Sequence, residues 1–349
     1  MRAPQLAEVT IRRSLLSMLV LTLAVAGVGC PCARSAINSS TGIRWWLFSN
    51  FGASKMCPEM LARGVPLKLS AFGNASIGRF FPATCRVDVD DPRHVIVMTA
   101  TGTGYVSLPV TQRMGFFVAM TVEYAPDFRL EDDATYVWGR FGRFVAPPDL
   151  RVLGVENPVV SLATKTPFGD VATVIGNGLV ASEIGRGFTV VRQEDGDDFT
   201  LGHLDPPARP QRQMAAMRDR FVLASDLTSV RPRAREYLGP FRIDAENASL
   251  HLRAKVDGAP LSFTVVERSV GDRWRQDYEA GKPLGPAPGT FLGQGQLPPG
   301  EARLAFPLPP GSYYVVLQND SAPAFAPMGV ALTESVAYAS YLAEVGERR

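Results

Sequence analysis

The chain has 349 residues, 36 basic and 34 acidic side chains, a formal charge of +2 and 46% hydrophobic residues. So even a balance, without any run of Lys or Arg, lacks the basic excess expected of a nucleic-acid-binding chain, and no nucleic-acid partner is expected. The length exceeds one typical domain, and two are expected.

Arg2, Arg12 and Arg13 precede the uncharged, mostly apolar stretch Ser14–Val28. That length suits the hydrophobic region of a signal peptide and falls short of the ~20 residues a bilayer-crossing helix needs. Small residues follow, ending in Gly29-Cys30. The run Ala26-Gly27-Val28-Gly29-Cys30 resembles the lipobox of bacterial lipoproteins, with Gly27 where that family usually carries Leu. The resemblance implies lipidation of Cys30 and a membrane-anchored place in the cell envelope, facing the periplasm or the cell surface. Two alternatives stay open: ordinary cleavage at Ala24-Val25-Ala26, which gives a secreted protein, and retention as an uncleaved anchor. Without residues 1–30 the chain loses three Arg and one Glu and becomes neutral, with 33 charges of each sign.

Cys57 and Cys85 lie in the folded region, and in an oxidising compartment two such cysteines are expected to form a disulfide. Residues 31–52 read as a tether because of the polar run Asn38-Ser39-Ser40-Thr41-Gly42. The tether carries Trp45, Trp46, Leu47, Phe48 and Phe51, a group suited either to a membrane interface or to packing on the first domain.

Residues 53–205 are expected to form an antiparallel α+β domain. Ser54 would cap a short helix ending before Gly64. β-branched and aromatic runs at Phe80–Asp88, His94–Val110, Gly115–Tyr124 and Thr135–Val145 alternate with Pro-, Gly- and Asp-rich turns and predict a long meander. Apolar spacing over Phe168–Ile184 predicts a second helix, and Phe188–Arg192 with Phe199–Leu204 a closing hairpin. Helix, long antiparallel strands and second helix, over Ser54–Gly187, resemble in order the tubular lipid-binding fold of some bacterial lipoproteins. That likeness implies an apolar groove.

The proline-rich run from Asp205 opens a linker, 206–222, with a short helix expected over Gln213–Ala224. Residues 223–349 predict a β-sandwich from the strand pairs Ala248–Val256 with Leu261–Arg268 and Ala302–Leu308 with Ser312–Gln318. The phrase Leu308–Val316 resembles the closing strand of many extracellular sandwich modules. The fold class expected is therefore mainly β.

Chemistry-bearing motifs are few. Gly176-Asn177-Gly178-Leu179-Val180-Ala181 matches a dinucleotide fingerprint, yet no βαβ alternation surrounds it, so a packing helix interrupted by glycine is preferred. His94, His203 and His251 are scattered and lack the spacing of a zinc site. Three acidic turns stand out: Asp88, Asp90 and Asp91; Glu131, Asp132 and Asp133; and Glu194, Asp195, Asp197 and Asp198. The last is the best candidate for calcium, since flexible carboxylate turns offer its hard oxygen ligands, although Asp also belongs in hairpin turns for backbone reasons alone. No other cofactor is expected. Nothing selects a pair of carboxylates for glycoside hydrolysis. The function expected is non-catalytic: an envelope lipoprotein that binds a protein partner or surface. Binding of lipid or another apolar ligand by the first domain is the alternative, and an extracytoplasmic hydrolase comes third.

Overall fold

β-branched and aromatic side chains alternating along the chain from Val65 onward make this protein mainly β. The computed structural model describes residues 31–68, 74–108, 112–156, 178, 181–321 and 335–348. Residue 30, the dinucleotide-like run apart from Gly178 and Ala181, and the helix expected over Phe168–Ile184 apart from Gly178 and Ala181–Ile184 lie outside the described residues.

The expected meander is present. β2 (Ser76–Asp90), β3 (Val95–Leu108), β4 (Gln112–Leu130) and β5 (Ala134–Val155) pair antiparallel in sequence order, with β1 (Val65–Lys68) beside β2. The hairpin β6 (Phe188–Gln193) and β7 (Gly196–Leu201) continues the sheet. β8 (Arg220–Val230) then meets β7 at Gly196↔Val222 and β2 at Ser76↔Thr228, both parallel. These two seams close β2 to β8 into a ring.

One face of the ring is apolar. Ile96, Met98 and Ala100 on β3 and Phe116, Val118, Met120 and Val122 on β4 are buried in a single cluster. A register shift between Pro82 and Thr84 inserts one residue into β2, so Cys85 and Val87 share the face of Phe80. Helices cover that face: α1 (Pro31–Ser39), α2 (Thr41–Leu47), a π-helical turn (Phe48–Gly52) and α3 (Ala53–Leu61). Trp45 and Phe48 are buried against the strands. The Cys57–Cys85 disulfide, Cα–Cα 5.3 Å, ties α3 to β2, while Cys32 is free and exposed.

Residues 31–52 are therefore helical and packed, where the sequence reading has a tether. Their polar side chains bind backbone. Asn38 Nδ2 donates to the Leu130 carbonyl at 2.8 Å and its Oδ1 accepts from the Leu130 N–H at 3.0 Å. Ser40 caps α2, accepting from the Ile43 N–H at 3.3 Å. Arg44 forks onto both oxygens of Asp127 at 2.7 and 3.1 Å. Ser54 lies inside α3, its Oγ donating to the Phe51 carbonyl at 3.3 Å, and is not the expected cap.

The second half is a sandwich. β8, β15 (Ala337–Glu347), β10 (Ala248–Gly258) and β13 (Gly300–Phe306) extend the large sheet. Against them packs a four-stranded sheet in the order β12 (Gly293–Leu297), β11 (Leu261–Glu267), β14 (Gly311–Gln318), β9 (Arg235–Ile243). Leu238, Leu250, Val256, Leu261, Val265 and Leu317 form the core between the layers. The helix expected over Gln213–Ala224 is absent; β8 begins at Arg220, and its pairing to β15 supplies hydrogen bonds that a helix there would forgo. A further helix, α4 (Arg268–Glu279), leaves β11 and buries Val270, Trp274 and Tyr278 at four-residue spacing.

Candidate functional site

The two halves meet through tyrosine, arginine and carboxylate side chains. On the second face of β2 and β3, Arg79, Phe81 and Tyr105 point toward the sandwich. Arg79 Nε donates to Glu236 Oε1 at 2.8 Å and its Nη2 to Tyr341 Oη at 3.1 Å. Tyr105 Oη donates to Glu236 Oε2 at 3.0 Å and accepts from the Tyr237 N–H at 2.9 Å. Burial pushes the Glu236 carboxyl up, against the opposing pull of Arg79 and Tyr105. Burial opposes charge on Arg79 as well, yet Tyr341, Glu236 and Asp226 hold its pKa well above the usual value. α4 completes the junction. Arg275 lies 4.1 Å from the Phe81 ring centroid, Arg113 4.3 Å from that of Tyr278 and Arg235 4.3 Å from that of Trp274. Its C-terminal end presses on two glycines: a Cβ on Gly115 would stand 1.8 Å from the Glu279 carbonyl oxygen, and one on Gly154 2.3 Å from that of Ala280.

Beside this junction opens a cleft of about 730 Å³, between β1, β7, β8, the 202–213 segment and the end of β9. Its floor is fixed by burial. Lys68 Nζ and Asp226 Oδ1 pair at 2.6 Å, and Arg79 and Tyr341 stand beneath them. Arg79 Nη2 is 3.9 Å from Asp226 Oδ2, an ion pair too long for a hydrogen bond, so that oxygen has no hydrogen-bond partner among the described residues.

The rim is different. Arg186, Arg209 and Arg242 line the opening and are held by Glu183, Asp133 and Asp244 at 3.2, 3.0 and 2.6 Å. Asp133 and Asp244 are mostly exposed, so the links to Arg209 and Arg242 are individually weak and easily exchanged, whereas Glu183 is buried beneath Arg186. Six cationic side chains line the cleft (Arg63, Lys68, Arg79, Arg186, Arg209, Arg242) against three carboxylates (Asp197, Asp198, Asp226).

The acidic turns serve arginines. Arg86 pairs with Asp88 at 2.7 Å, Arg93 with Asp90 at 2.8 Å, and Asp91 accepts from Trp45 Nε1 at 3.0 Å. Arg34 pairs with Asp132. In the turn that is the best candidate for calcium, the Arg212 guanidinium lies between two carboxylates, 2.6 Å from Asp195 and 2.6 Å from Asp198, while Asp197 faces Arg192 at 3.7 Å. Of the calcium candidates Glu194, Asp195, Asp197 and Asp198, the three aspartates thus each face an arginine. Among the described residues no group of three or more His, Cys, Asp or Glu is disposed to hold a metal. The Arg212 hydrogen bond holds Asp195 below the usual carboxylate range, whereas burial pushes Asp198 up despite the same partner.

The three histidines stay apart. His94 stacks on Trp45 with ring centroids 4.9 Å apart. His251 sits on β10, its pKa lowered by burial. Only His203 lines the cleft, its Nε2 3.0 Å from Asp205 Oδ1. Apart from His203, Asp197 and Asp198, no cleft residue stands out as a candidate in the sequence. The basic rim is assembled from three separate segments, so no local run signals it.

No family model matches the chain, and no curated protein matches it. Among the solved structures that match is a crystal structure of a glycoside hydrolase family 43 arabinoxylan arabinofuranohydrolase from Bacillus subtilis in complex with cellotetraose. Identity is 11% and the TM-score 0.18, with 76% of this chain aligned over 66% of that chain, just under two thirds of its length. Among the described residues no helix is long and apolar enough to cross a membrane.

Proposed function

We propose that this is a cell-envelope lipoprotein, anchored through Cys30, that acts by binding and not by catalysis, taking an acidic segment of a partner protein into the cleft between ring and sandwich. One observation carries the reading: the floor cations Arg79 and Lys68 are paired with buried carboxylates, whereas Asp133 and Asp244, the carboxylates on Arg209 and Arg242 at the rim, are themselves exposed. An incoming carboxylate can replace Asp133 at Arg209 or Asp244 at Arg242 at little cost, because both exposed pairs contribute little to stability. A charged hydrogen bond to such a ligand contributes about 1.5–3 kcal/mol. The cleft volume falls within the ~300–1,000 Å³ typical of binding pockets.

The face of the ring that a lipid ligand would need is filled by Trp45, Phe48, Met98 and Phe116. This supports the protein-binding reading over the apolar-ligand one.

Affinity capture from crosslinked membranes tests it. The full chain should return a partner, and the variant Arg209→Glu with Arg242→Glu should lose it. No partner with the unaltered chain, or equal capture with both, would sink the reading.

A further inference from the structure

The aromatic cluster near the N-terminus divides into two sets. Trp45 and Phe48 turn inward, 9% and 4% exposed, whereas Ile43, Trp46 and Phe51 stand outward at 43%, 49% and 42%. The outward set forms one patch: Ile43 and Trp46 are three residues apart on α2, and the Trp46 and Phe51 rings meet edge-on at 5.8 Å. Lys55, exposed, lies one helical turn beyond Phe51.

The chain leading to this patch has no slack. The apolar stretch Ser14–Val28 ends just before Cys30, and α1 already includes the next residue, Pro31. α1 is fixed to the body by the two hydrogen bonds between Asn38 and Leu130, the Arg34–Asp132 pair and the packing of Ile37. Residue 46 is sixteen positions past Cys30, and at ~1.5 Å per helical residue it lies within about 24 Å of the anchor even along a straight helix. A membrane attached at Cys30 therefore has the folded body directly against it. Indole rings favour the headgroup level of a bilayer, where their apolar body and polar N–H are both accommodated, and a nearby Lys favours anionic lipid.

We infer that Ile43, Trp46 and Phe51 form a seat on the phospholipid surface, so that the protein lies against its membrane instead of swinging from it. The inference rests on the anchoring part of the proposed function.

Fluorescence tests it cleanly, because Trp46 differs from the other three tryptophans. Trp45, Trp138 and Trp274 are 9%, 8% and 6% exposed, against 49% for Trp46. The full chain is reconstituted into phosphatidylethanolamine–phosphatidylglycerol vesicles containing dibrominated lipid, and vesicle flotation is followed in parallel. The expected result is flotation with quenching, stronger from bromines near the headgroup than from deep ones, and loss of that quenching in Trp46→Phe while flotation persists. Flotation without quenching, or quenching unchanged in Trp46→Phe, overturns the seat and leaves the anchor intact. Failure to float removes the anchor and the seat together.

Discussion

Arg79 and Glu236 stand 157 residues apart in the chain and meet at 2.8 Å, each side chain only 3% exposed. Deleting one partner of such a pair strands a buried charge, which costs about 3–5 kcal/mol, whereas replacing both with apolar groups is often tolerated. Glu236→Ala should lower stability by that amount in urea titrations, and Arg79→Met with Glu236→Leu should restore most of it. Equal losses in the single and paired variants would contradict a charge-based link.

The two acids on Arg212 should respond to pH with opposite signs. Asp195 is held below its ordinary range by the Arg212 hydrogen bond. Its contribution is therefore present above the unfolded-state value and lost as pH falls through the folded one. Asp198 is pushed up by burial, so its ionisation weakens the native state as pH rises through the folded value. Melting temperatures between about pH 3 and pH 6, the range in which carboxylates titrate, should show Asp195→Asn reducing acid sensitivity and Asp198→Asn increasing it. The same sign for both variants would refute the assignment.

Cys57 and Cys85 close a loop of 28 residues. Loop-closure entropy for that length corresponds to about 3–4 kcal/mol. Cys57→Ser, or reduction of the unaltered protein, should lower the free energy of unfolding by that amount. A reductant-insensitive denaturation curve is the contrary outcome.

Neighbouring tryptophans should differ sharply. Trp45→Ala empties a buried site and is expected to cost about 3–5 kcal/mol, while Trp46→Ala, at an exposed site, stays within about 0.5 kcal/mol. Chemical denaturation of the two variants, free of lipid, measures the contrast.

Gly115 leaves no room for a side chain under the end of α4. Gly115→Val should cost about 1–3 kcal/mol through forced backbone movement. Protection of the α4 amides in hydrogen exchange should fall with it. Unchanged protection would show that the contact is not needed for docking.

What the sequence made legible was local. The meander strands declared themselves because Ile96, Met98 and Ala100 and their partners on β4 keep a two-residue period. β8 and β15 were hidden for a specific reason: their inward positions carry Asp226 and Thr228 on one and Ala337, Ala339 and Ala343 on the other. Buried polar and alanine side chains do not register as a hydrophobic alternation. The polar run from Asn38 to Gly42 misled in the opposite direction, because side chains that normally meet water here meet backbone. The cleft was invisible in principle. Its floor joins Lys68 and Arg79 to Asp226 and Tyr341, residues without any common local pattern.

β8 is held by β7 and β2 on the ring side and by β15 on the sandwich side. A strand shared in this way leaves no hinge at the proline-rich segment that reads as a boundary, so the molecule should melt in one cooperative transition. Cutting the gene there would give one fragment an unsealed ring and the other a strand with half its neighbours missing. The halves are better regarded as one body with a seam than as two modules on a string.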